Sequence, residues 1–206
     1  MEEKKNIFEN GAVWLRADYH LHTKADKEFK YEGEENDFVT AYMQQLKQTE
    51  TGVGLIANHN KFDLEEYKAL RRSCFKENIY LMPGLELSVS DGSNGIHVLI
   101  AFEFETWIKN GTNFIEQFLN SAFEGTANRE NSNTRCKYNL AGLFEKLEEH
   151  RKDGRDSFIV MAHVEQDCGF CKELDGGRIS HIAKGSLFKK NVLGFQKLRT
   201  ITLINS

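Results

Sequence analysis

Six side chains with metal-binding chemistry occur one after another where predicted β-strands begin or end. His20 and His22 flank Leu21, and residues two apart in a strand point to the same side, so both imidazoles can face one ion. The remaining members are His59, Glu86, His97 and His163. Imidazole and carboxylate ligands together suit zinc, manganese or iron. The sequence therefore predicts a site for two or three divalent metal ions.

Glu86 is the residue of this set that is best suited to bridge two ions, because a carboxylate has two oxygens to share. Two ions about 3.5–4 Å apart can activate a water molecule and hold the attacking and leaving oxygens of a phosphate ester. The predicted chemistry is therefore hydrolysis of phosphate esters. The residues expected to take part in catalysis are His20, His22, Glu86 and His163.

Acidic residues near the first two histidines have two possible roles. Asp26 or Glu28, in the loop after His22, can supply a further carboxylate to the ion held by His59, and we favour Asp26. Asp18 is better suited to orient an imidazole than to bind metal directly.

Other charged residues and histidines receive weaker predictions. Arg16, Lys24 and Lys27 are predicted to lie near the opening of the metal site and could bind phosphate oxygens there, although surface cations are the default interpretation. His150, near the end of a Glu-rich helix, is predicted to be a surface residue, and His181 to be structural.

Length and composition fit one domain that covers residues 1–206, because 206 residues with 40% hydrophobic side chains can bury one large core. The formal net charge of -4 leaves open whether nucleic acid is bound. No segment approaches the ~20 apolar residues of a membrane span, so we expect a cytoplasmic protein with no membrane partner. The four cysteines, including the pair Cys168 and Cys171, are expected to be incidental thiols.

Short β-rich runs alternate with longer amphipathic ones, a pattern typical of an α/β fold with parallel strands. The predicted strands are Trp14–Asp18, Gly52–Ala57, Ile79–Met82, Ile96–Phe102, Phe158–Ala162 and Thr200–Ile204. The predicted helices are Asn36–Gln48, Leu64–Lys76, Tyr138–His150 and Ile182–Lys190.

Capping residues and one loop complete the prediction. Asp63 is expected to cap the second helix, with Glu66 completing a capping box, and Asn36 to cap the first. The polar stretch Glu124–Arg135 is expected to be a mobile loop.

The ordered motifs resemble the PHP (polymerase and histidinol phosphatase) family of metal-dependent phosphoesterases. Asp18–Thr23 is similar to its first motif, and Asn58–Asn60 to the second, where the family usually has Asp-His. Gly84–Glu86 followed by His97 is similar to the third motif and the next histidine, and Ala162-His163 to a later ligand. The resemblance spans roughly residues 11–204, and its closest form is the amino-terminal PHP module of TrlF-type proteins.

This resemblance implies an α/β fold of PHP type, a distorted (β/α)7 TIM-like barrel with up to three ions at its C-terminal face. TrlF-type proteins carry an SMC-like ATPase region after the module, but the chain has no GxxxxGK[ST] loop. The family ends its barrel with an Asp-x-His motif, and none follows Thr200–Ile204. We therefore expect a barrel that lacks its last strand and holds its ions weakly. Either the chain is the N-terminal fragment of a longer protein, or an ATPase region or a partner chain completes the site.

Three hypotheses about function remain open. The first is a metal-dependent phosphoesterase, whose substrate would be nucleic-acid phosphodiester if the analogy with DNA-associated ATPases holds. The second is a catalytically silent, metal-binding regulatory module of such an ATPase. The third is an amidohydrolase-type enzyme, which also begins with His-x-His but normally needs a late catalytic aspartate.

Overall fold

The computed structural model describes residues 14–197, which form a mixed α/β fold. Five of the predicted strands are present, with Ile96–Phe102 exactly as expected and the third extending seven residues further than Met82. The predicted strand Thr200–Ile204 lies outside the described residues. The strands are β1 (Arg16–Leu21), β2 (Thr51–Ile56), β3 (Tyr80–Val89), β4 (Ile96–Phe102), β5 (Ile108–Lys109), β6 (Thr112–Asn113), β7 (Ser157–Met161) and β8 (Val192–Phe195).

Helices cover the sheet, and the three longest helices lie close to their predicted positions. The predicted helix Ile182–Lys190 is instead two helices separated at Gly185, whose extended backbone ends one and begins the next. The helices are α1 (Phe38–Gln48), α2 (Leu64–Phe75), α3 (Phe104–Trp107), α4 (Phe114–Ala122), α5 (Leu140–Lys152), α6 (Phe170–Glu173), α7 (Gly176–Lys184) and α8 (Ser186–Asn191). No described helix has the length and apolar character required to cross a bilayer.

Within the described residues, six strands form one sheet in the order β1-β2-β3-β4-β7-β8. The strands β1, β2 and β3 are parallel to one another, and so are β7 and β8. The prediction of parallel strands is wrong for β4, which is antiparallel to both of its neighbours. Val89 and Ile96 are joined by a short connection, and parallel neighbours would need a crossover of a dozen or more residues.

The sheet is curled, so its two edge strands approach each other. Gln196, directly after β8, contacts the side chain of His20 on β1. The ring of Tyr19 on β1 also lies 6.2 Å from the ring of Phe158 on β7, in an edge-to-face arrangement. The result is an open barrel with an inner and an outer face.

Apolar side chains fill both faces of this curl. A large cluster lies between the sheet and the helices and includes Tyr67, Trp107 and Phe118. A smaller inner cluster contains Leu55, Leu99 and Val160 with three alanines. Leu99 is the cross-strand partner of Glu86, so Glu86 points to the inner face.

Gly84 allows the inner strands to pack closely beside Glu86. A Cβ atom at this position would lie 2.4 Å from Cδ1 of Leu55 and 2.6 Å from the carbonyl oxygen of Ile100. Both distances are shorter than van der Waals contact, so only glycine fits without moving a neighbouring strand.

Two of the three capping predictions are wrong. Asp63 does cap α2, because its side chain accepts a hydrogen bond from the backbone amide of Glu66. Glu66 does not complete a capping box, since its carboxylate accepts the hydroxyl of Thr23 in the loop after β1. Asn36 lies inside a 3-10 turn, and Asp37, which precedes α1, makes no side-chain cap.

Candidate metal centre

The curled sheet brings six predicted residues to one edge. His20 and His22 stand at the end of β1, His59 follows β2, and His163 follows β7. His97 opens β4, and because β4 runs in the opposite direction, its first residues lie at the edge where its neighbours end. His59 and Glu86 also pair through an isolated bridge, which fixes the end of β2 against the middle of β3.

Glu86 is the centre of the cluster, with a side chain only 1% exposed. Its Oε2 atom lies 2.6 Å from Nε2 of His20 and 3.1 Å from Nε2 of His59. Its Oε1 atom lies 2.8 Å from Nδ1 of His97 and 3.2 Å from Nε2 of His163. Nε2 of His22 is 3.5 Å from Oε2. Five imidazoles therefore surround one buried carboxylate.

Asp26 forms a second acidic centre beside the first. Its Oδ2 atom lies 3.0 Å from Nδ1 of His22 and 2.9 Å from Nδ1 of His59. The same oxygen accepts the backbone amide of His59 at 2.7 Å. Glu28 is exposed, lines the outer part of the cavity and donates its amide to Oδ1 of Asp26. The structure thus brings Asp26, rather than Glu28, into contact with His59.

Gln196 contacts the cluster and was missed by the sequence analysis. Its Oε1 atom lies 2.8 Å from Nδ1 of His20 and accepts the backbone amide of His163 at 3.1 Å. A backbone N–H can only donate, so the Gln196 atom that accepts the His163 amide is the side-chain oxygen. Nδ1 of His20 faces this same oxygen and therefore donates a proton to it. The apolar run Val192–Phe195 ending in a polar residue was the available signal.

Three overlapping triads of potential ligand atoms lie within this cluster, each with its atoms within 4.8 Å of one another. They are His20, His22 and Glu86; His22, Asp26 and His59; and His59, Glu86 and His97. The first and third triads share Glu86, which can give one oxygen to each of two ions. The middle triad competes for His22 and His59, so two ions bridged by Glu86 fit the geometry most directly.

Electrostatics favour positive charge at this position. Burial alone would raise the pKa of Glu86, but hydrogen bonds from His163, His20 and His97 hold it far below its ordinary value. Burial likewise opposes ionisation of Asp26, yet hydrogen bonds from His22 and His59 lower its pKa. Both carboxylates are therefore charged at neutral pH.

The imidazoles respond to the same two carboxylates. Burial lowers the pKa of His20, but its hydrogen bond to Glu86 and the charge of that carboxylate outweigh burial and raise it. For His59, the hydrogen bond to Asp26 and the charge of Glu86 outweigh burial in the same way. The site thus favours cations between its nitrogen and oxygen atoms.

The proton positions on the imidazoles test whether a metal fits. Nδ1 of His20 faces the Gln196 oxygen, and Nδ1 of both His22 and His59 faces Asp26, so these atoms carry the protons. In the neutral imidazoles the Nε2 atoms would then direct lone pairs at the lone pairs of Glu86, whereas in the protonated imidazoles they donate hydrogen bonds to it. Two such atoms about 3 Å apart repel unless a proton or a cation lies between them. Divalent cations held at Nε2 and Glu86 would satisfy every one of these atoms.

Two asparagines on either side of His59 hold the surrounding loops. The Asn58 side chain accepts the amide of Thr23 and donates to its hydroxyl, both at 2.8 Å. Asn60 accepts the amide of Ser88 and donates to the carbonyl oxygens of Asn131 and Thr134. The stretch predicted to be mobile, Glu124–Arg135, is therefore tied to β3 beside the cluster.

His163 has a backbone conformation that residues other than glycine rarely adopt. Its φ angle is 24°, in the left-handed region, where residues other than glycine store strain. Such strain persists only where the surrounding structure holds the backbone in that conformation. Here the backbone amide of His163 bonds to Gln196, and its Nε2 atom reaches Glu86.

Several predicted contributors lie away from the cluster. Asp18 is exposed and accepts the backbone amide of His20, so it contacts no imidazole. Arg16 lies at the start of β1, at the opposite end of the sheet, and donates to the carbonyl oxygen of Thr49. The prediction that Arg16 lies near the opening is wrong, because a six-residue strand separates its two ends.

The two lysines of the loop after His22 are paired with acids. Lys24 forms an ion pair with exposed Glu35, and Lys27 lies 3.6 Å from Glu130. His181 is exposed on α7 and belongs to none of the three triads found among the described residues. His150 is not a surface residue as predicted, since its ring packs 4.6 Å from that of Trp107.

A cavity of about 570 Å³ opens above the cluster. Five imidazoles and Glu86 form its floor. Its rim is formed by Glu28 and by three loop residues that were not predicted to belong to the site, Ser132, Gln166 and Asp167. A small substrate can therefore reach the atoms that face Glu86.

Comparisons with known proteins give a likeness of fold. No family model matches the chain, and no curated protein is matched. An amidohydrolase from Chromobacterium violaceum, solved with sulfate and no metal, superposes with a TM-score of 0.56 at 12% identity over 88% of this chain and 76% of that one. A proposed metal-dependent phosphoesterase from Bifidobacterium adolescentis gives 0.50 at 10% identity, over 88% and 77%.

Proposed function

We propose that this protein is a metal-dependent hydrolase that cleaves phosphate esters. The observation that carries the proposal is the buried Glu86 carboxylate, whose two oxygens face different imidazoles and belong to two adjacent triads. Two divalent ions held there would polarise a phosphoryl oxygen and lower the pKa of water. The ligand types suit zinc, manganese or iron.

The residues of the chain have distinct roles in this proposal. His20, His22, Glu86, His59 and His97 would hold two ions, and His163 faces Oε1 of Glu86 at the same opening. Asp26 holds Nδ1 of His22 and His59, and is itself a potential ligand for a third ion. Gln196 orients His20 in the same way. These contacts fix the direction of each nitrogen before substrate arrives.

The PHP family remains our proposed assignment, and it rests on the order of the motifs from Asp18–Thr23 to Ala162-His163. A nucleic-acid phosphodiester is the proposed substrate. From the resemblance to TrlF-type proteins, we also propose that an ATPase region or a partner chain associates with this domain. The proposed location is the cytoplasm.

Amide hydrolysis is the second candidate, because the Chromobacterium violaceum neighbour is described as an amidohydrolase. A late aspartate, Asp167, lies at the rim of the cavity and is exposed. Phosphate esters are favoured because two ions sharing Glu86 could hold both the attacking and the leaving oxygen of an in-line displacement at phosphorus. A panel with one phosphodiester and one amide substrate separates these two activities.

The first test is metal content per chain, measured by plasma mass spectrometry on protein purified without added metal or a histidine tag. We expect two or more equivalents of zinc, manganese or iron, and phosphodiester hydrolysis by the loaded protein. The variants His20→Ala and Glu86→Ala should lose both, whereas His181→Ala, at an exposed histidine on α7, should lose neither.

The results separate the hypotheses. Hydrolysis that survives both cluster variants would show that another site acts. Metal bound without turnover of either substrate class would identify a regulatory module instead. No metal even after reconstitution would exclude a metal centre at Glu86.

A further inference from the structure

A second cavity meets the metal cluster at His20 and His22, which line both spaces. Its volume is about 490 Å³, within the ~300–1,000 Å³ typical of small-molecule sites. Four aromatic rings form much of its wall: Phe29, Tyr31, Phe38 and Tyr42. We call this space the aromatic pocket.

The rings of the aromatic pocket support one another. Phe38 is 1% exposed, and the rings of Tyr31, Tyr42 and Phe29 lie 5.2, 5.5 and 6.1 Å from it. The hydroxyl of Tyr42 donates to the carbonyl oxygen of His22 at 2.9 Å. The pocket wall is therefore fixed to the same backbone that carries the two histidines.

Polar groups are few in this pocket and lie at its edge. Gln45 is exposed, and its side chain makes none of the hydrogen bonds found among the described residues. The Nζ atom of Lys24 lies 5.1 Å from the centre of the Phe38 ring. An amide can donate and accept at once, which matches the edge of a heteroaromatic base. The combination suits a flat ligand with an apolar face and a polar rim.

We propose that the aromatic pocket binds the nucleobase adjacent to the phosphate that is cleaved. This inference rests on the proposed function, and it names the substrate class as phosphate esters of nucleosides with an unpaired base. Stacking on aromatic rings is the general way in which proteins hold single-stranded bases. A base in a duplex is not available for such a pocket unless it leaves the stack. Because His20 and His22 line both cavities, a phosphate held at the metal cluster would lie beside the aromatic pocket.

The experiment compares ligands that differ only in the base. Two phosphodiesters are compared with the manganese-loaded protein: a deoxydinucleoside monophosphate, in which one phosphate joins two deoxynucleosides, and its counterpart without bases. The rate of hydrolysis of each is measured. Binding of thymidine 5′-monophosphate and of base-free deoxyribose 5-phosphate is measured by calorimetry. We expect the base to improve kcat/KM and binding by about 10-fold, the effect of one stacked base.

A variant pair tests the location. Tyr31→Leu removes a half-buried ring whose hydroxyl makes none of the described hydrogen bonds, so folding should be preserved. It should abolish the advantage of base-containing ligands, so that the variant hydrolyses the base-containing and the abasic diester equally well. The control Tyr138→Leu removes another half-buried ring, which lies outside both cavities, and should retain the advantage.

The outcomes distinguish this inference from the proposed function. Equal hydrolysis of the two diesters, or an advantage that survives in Tyr31→Leu, would overturn the aromatic pocket as the base site while leaving a phosphoesterase. Base-dependent binding that requires Tyr31, without hydrolysis of either diester, would support the pocket and overturn the catalytic proposal.

Discussion

The side-chain oxygen of Gln196 lies 2.8 Å from Nδ1 of His20, although these residues follow or end strands at opposite edges of the sheet. The same oxygen accepts the backbone amide of His163. One amide group therefore closes the curl and sets the direction of one imidazole. Nε2 of His20 is left facing Glu86 at 2.6 Å.

Substitution of Gln196 should weaken metal binding without removing a ligand. In Gln196→Ala, Nδ1 of His20 loses its acceptor, and we expect metal affinity to fall by about 10–100-fold, as for other partners of ligand histidines. Competition with a chelating dye measures the change. Gln166→Ala is the control, because Gln166 lines the same cavity but its side chain makes none of the hydrogen bonds found in the described part of the chain. Equal affinities for both variants would contradict the orienting role.

The two loop acids should differ sharply. Asp26→Asn replaces an oxygen that lies within 3.0 Å of two imidazoles, so metal affinity should again fall by about 10–100-fold. Glu28→Gln changes an exposed side chain at the rim and should alter affinity by less than about 3-fold. Metal titration by calorimetry measures both. A larger loss in Glu28→Gln would make Glu28 the ligand.

Removal of the Asn60 side chain should release the loop beside the site. Asn60 is fully buried, and Asn60→Ala removes the side chain that accepts the Ser88 amide and donates to the Thr134 carbonyl oxygen, at a cost of about 1–3 kcal/mol. Hydrogen exchange in residues 128–135 should accelerate. The control Asn133→Ala changes an exposed loop residue and should leave exchange unchanged. Unaltered exchange in Asn60→Ala would show that other contacts hold the loop.

His150 should make stability depend on pH. Burial, with the charges of Arg155 and Lys146, lowers its pKa to about 4, while its unfolded value is about 6.5. The unfolded chain therefore binds the proton first, and stability falls as the pH drops from about 6.5 towards 4. Since solvent reaches part of the ring, we expect a loss of about 1 kcal/mol, or about 2–4 °C in melting temperature.

Thermal denaturation at pH 7 and pH 5 tests this assignment. In His150→Gln, whose side-chain oxygen can still accept Nε of Arg155, the decrease in melting temperature should be smaller than in the unmodified protein. Identical decreases would show that other groups account for the pH dependence.

Strand positions could be predicted because long apolar runs are bounded by polar residues. Ile96–Phe102 was predicted to the residue because all seven side chains are buried. The direction of this strand was not predicted, although the short connection from Val89 indicated an antiparallel pair. The wrong strand direction did not affect the prediction for His97. Because the strand is antiparallel to its neighbours, its first residues lie at the end of the sheet where the neighbouring strands finish.

The site could be predicted where residue types alone indicate the chemistry, but not where long-range geometry decides. Gln196 is a neutral amide with no ligand signature, and its role depends on curling of the sheet. Arg16 looked suitable by its charge, but strand length places it at the wrong end. Glu66 fitted a capping box, but a longer reach to Thr23 takes its carboxylate.

The bond between His20 and Gln196 spans 176 positions along the chain, so the candidate metal centre is complete only when both edge strands of the sheet are in place. A contact between residues so far apart in the sequence requires the intervening chain to be closed into a loop, which costs conformational entropy. Ions that bind the assembled cluster would therefore bind only the folded chain and stabilise it by mass action. Occupancy of the cluster would then report on the integrity of the whole sheet, and chelation would lower the resistance of distant helices to proteolysis.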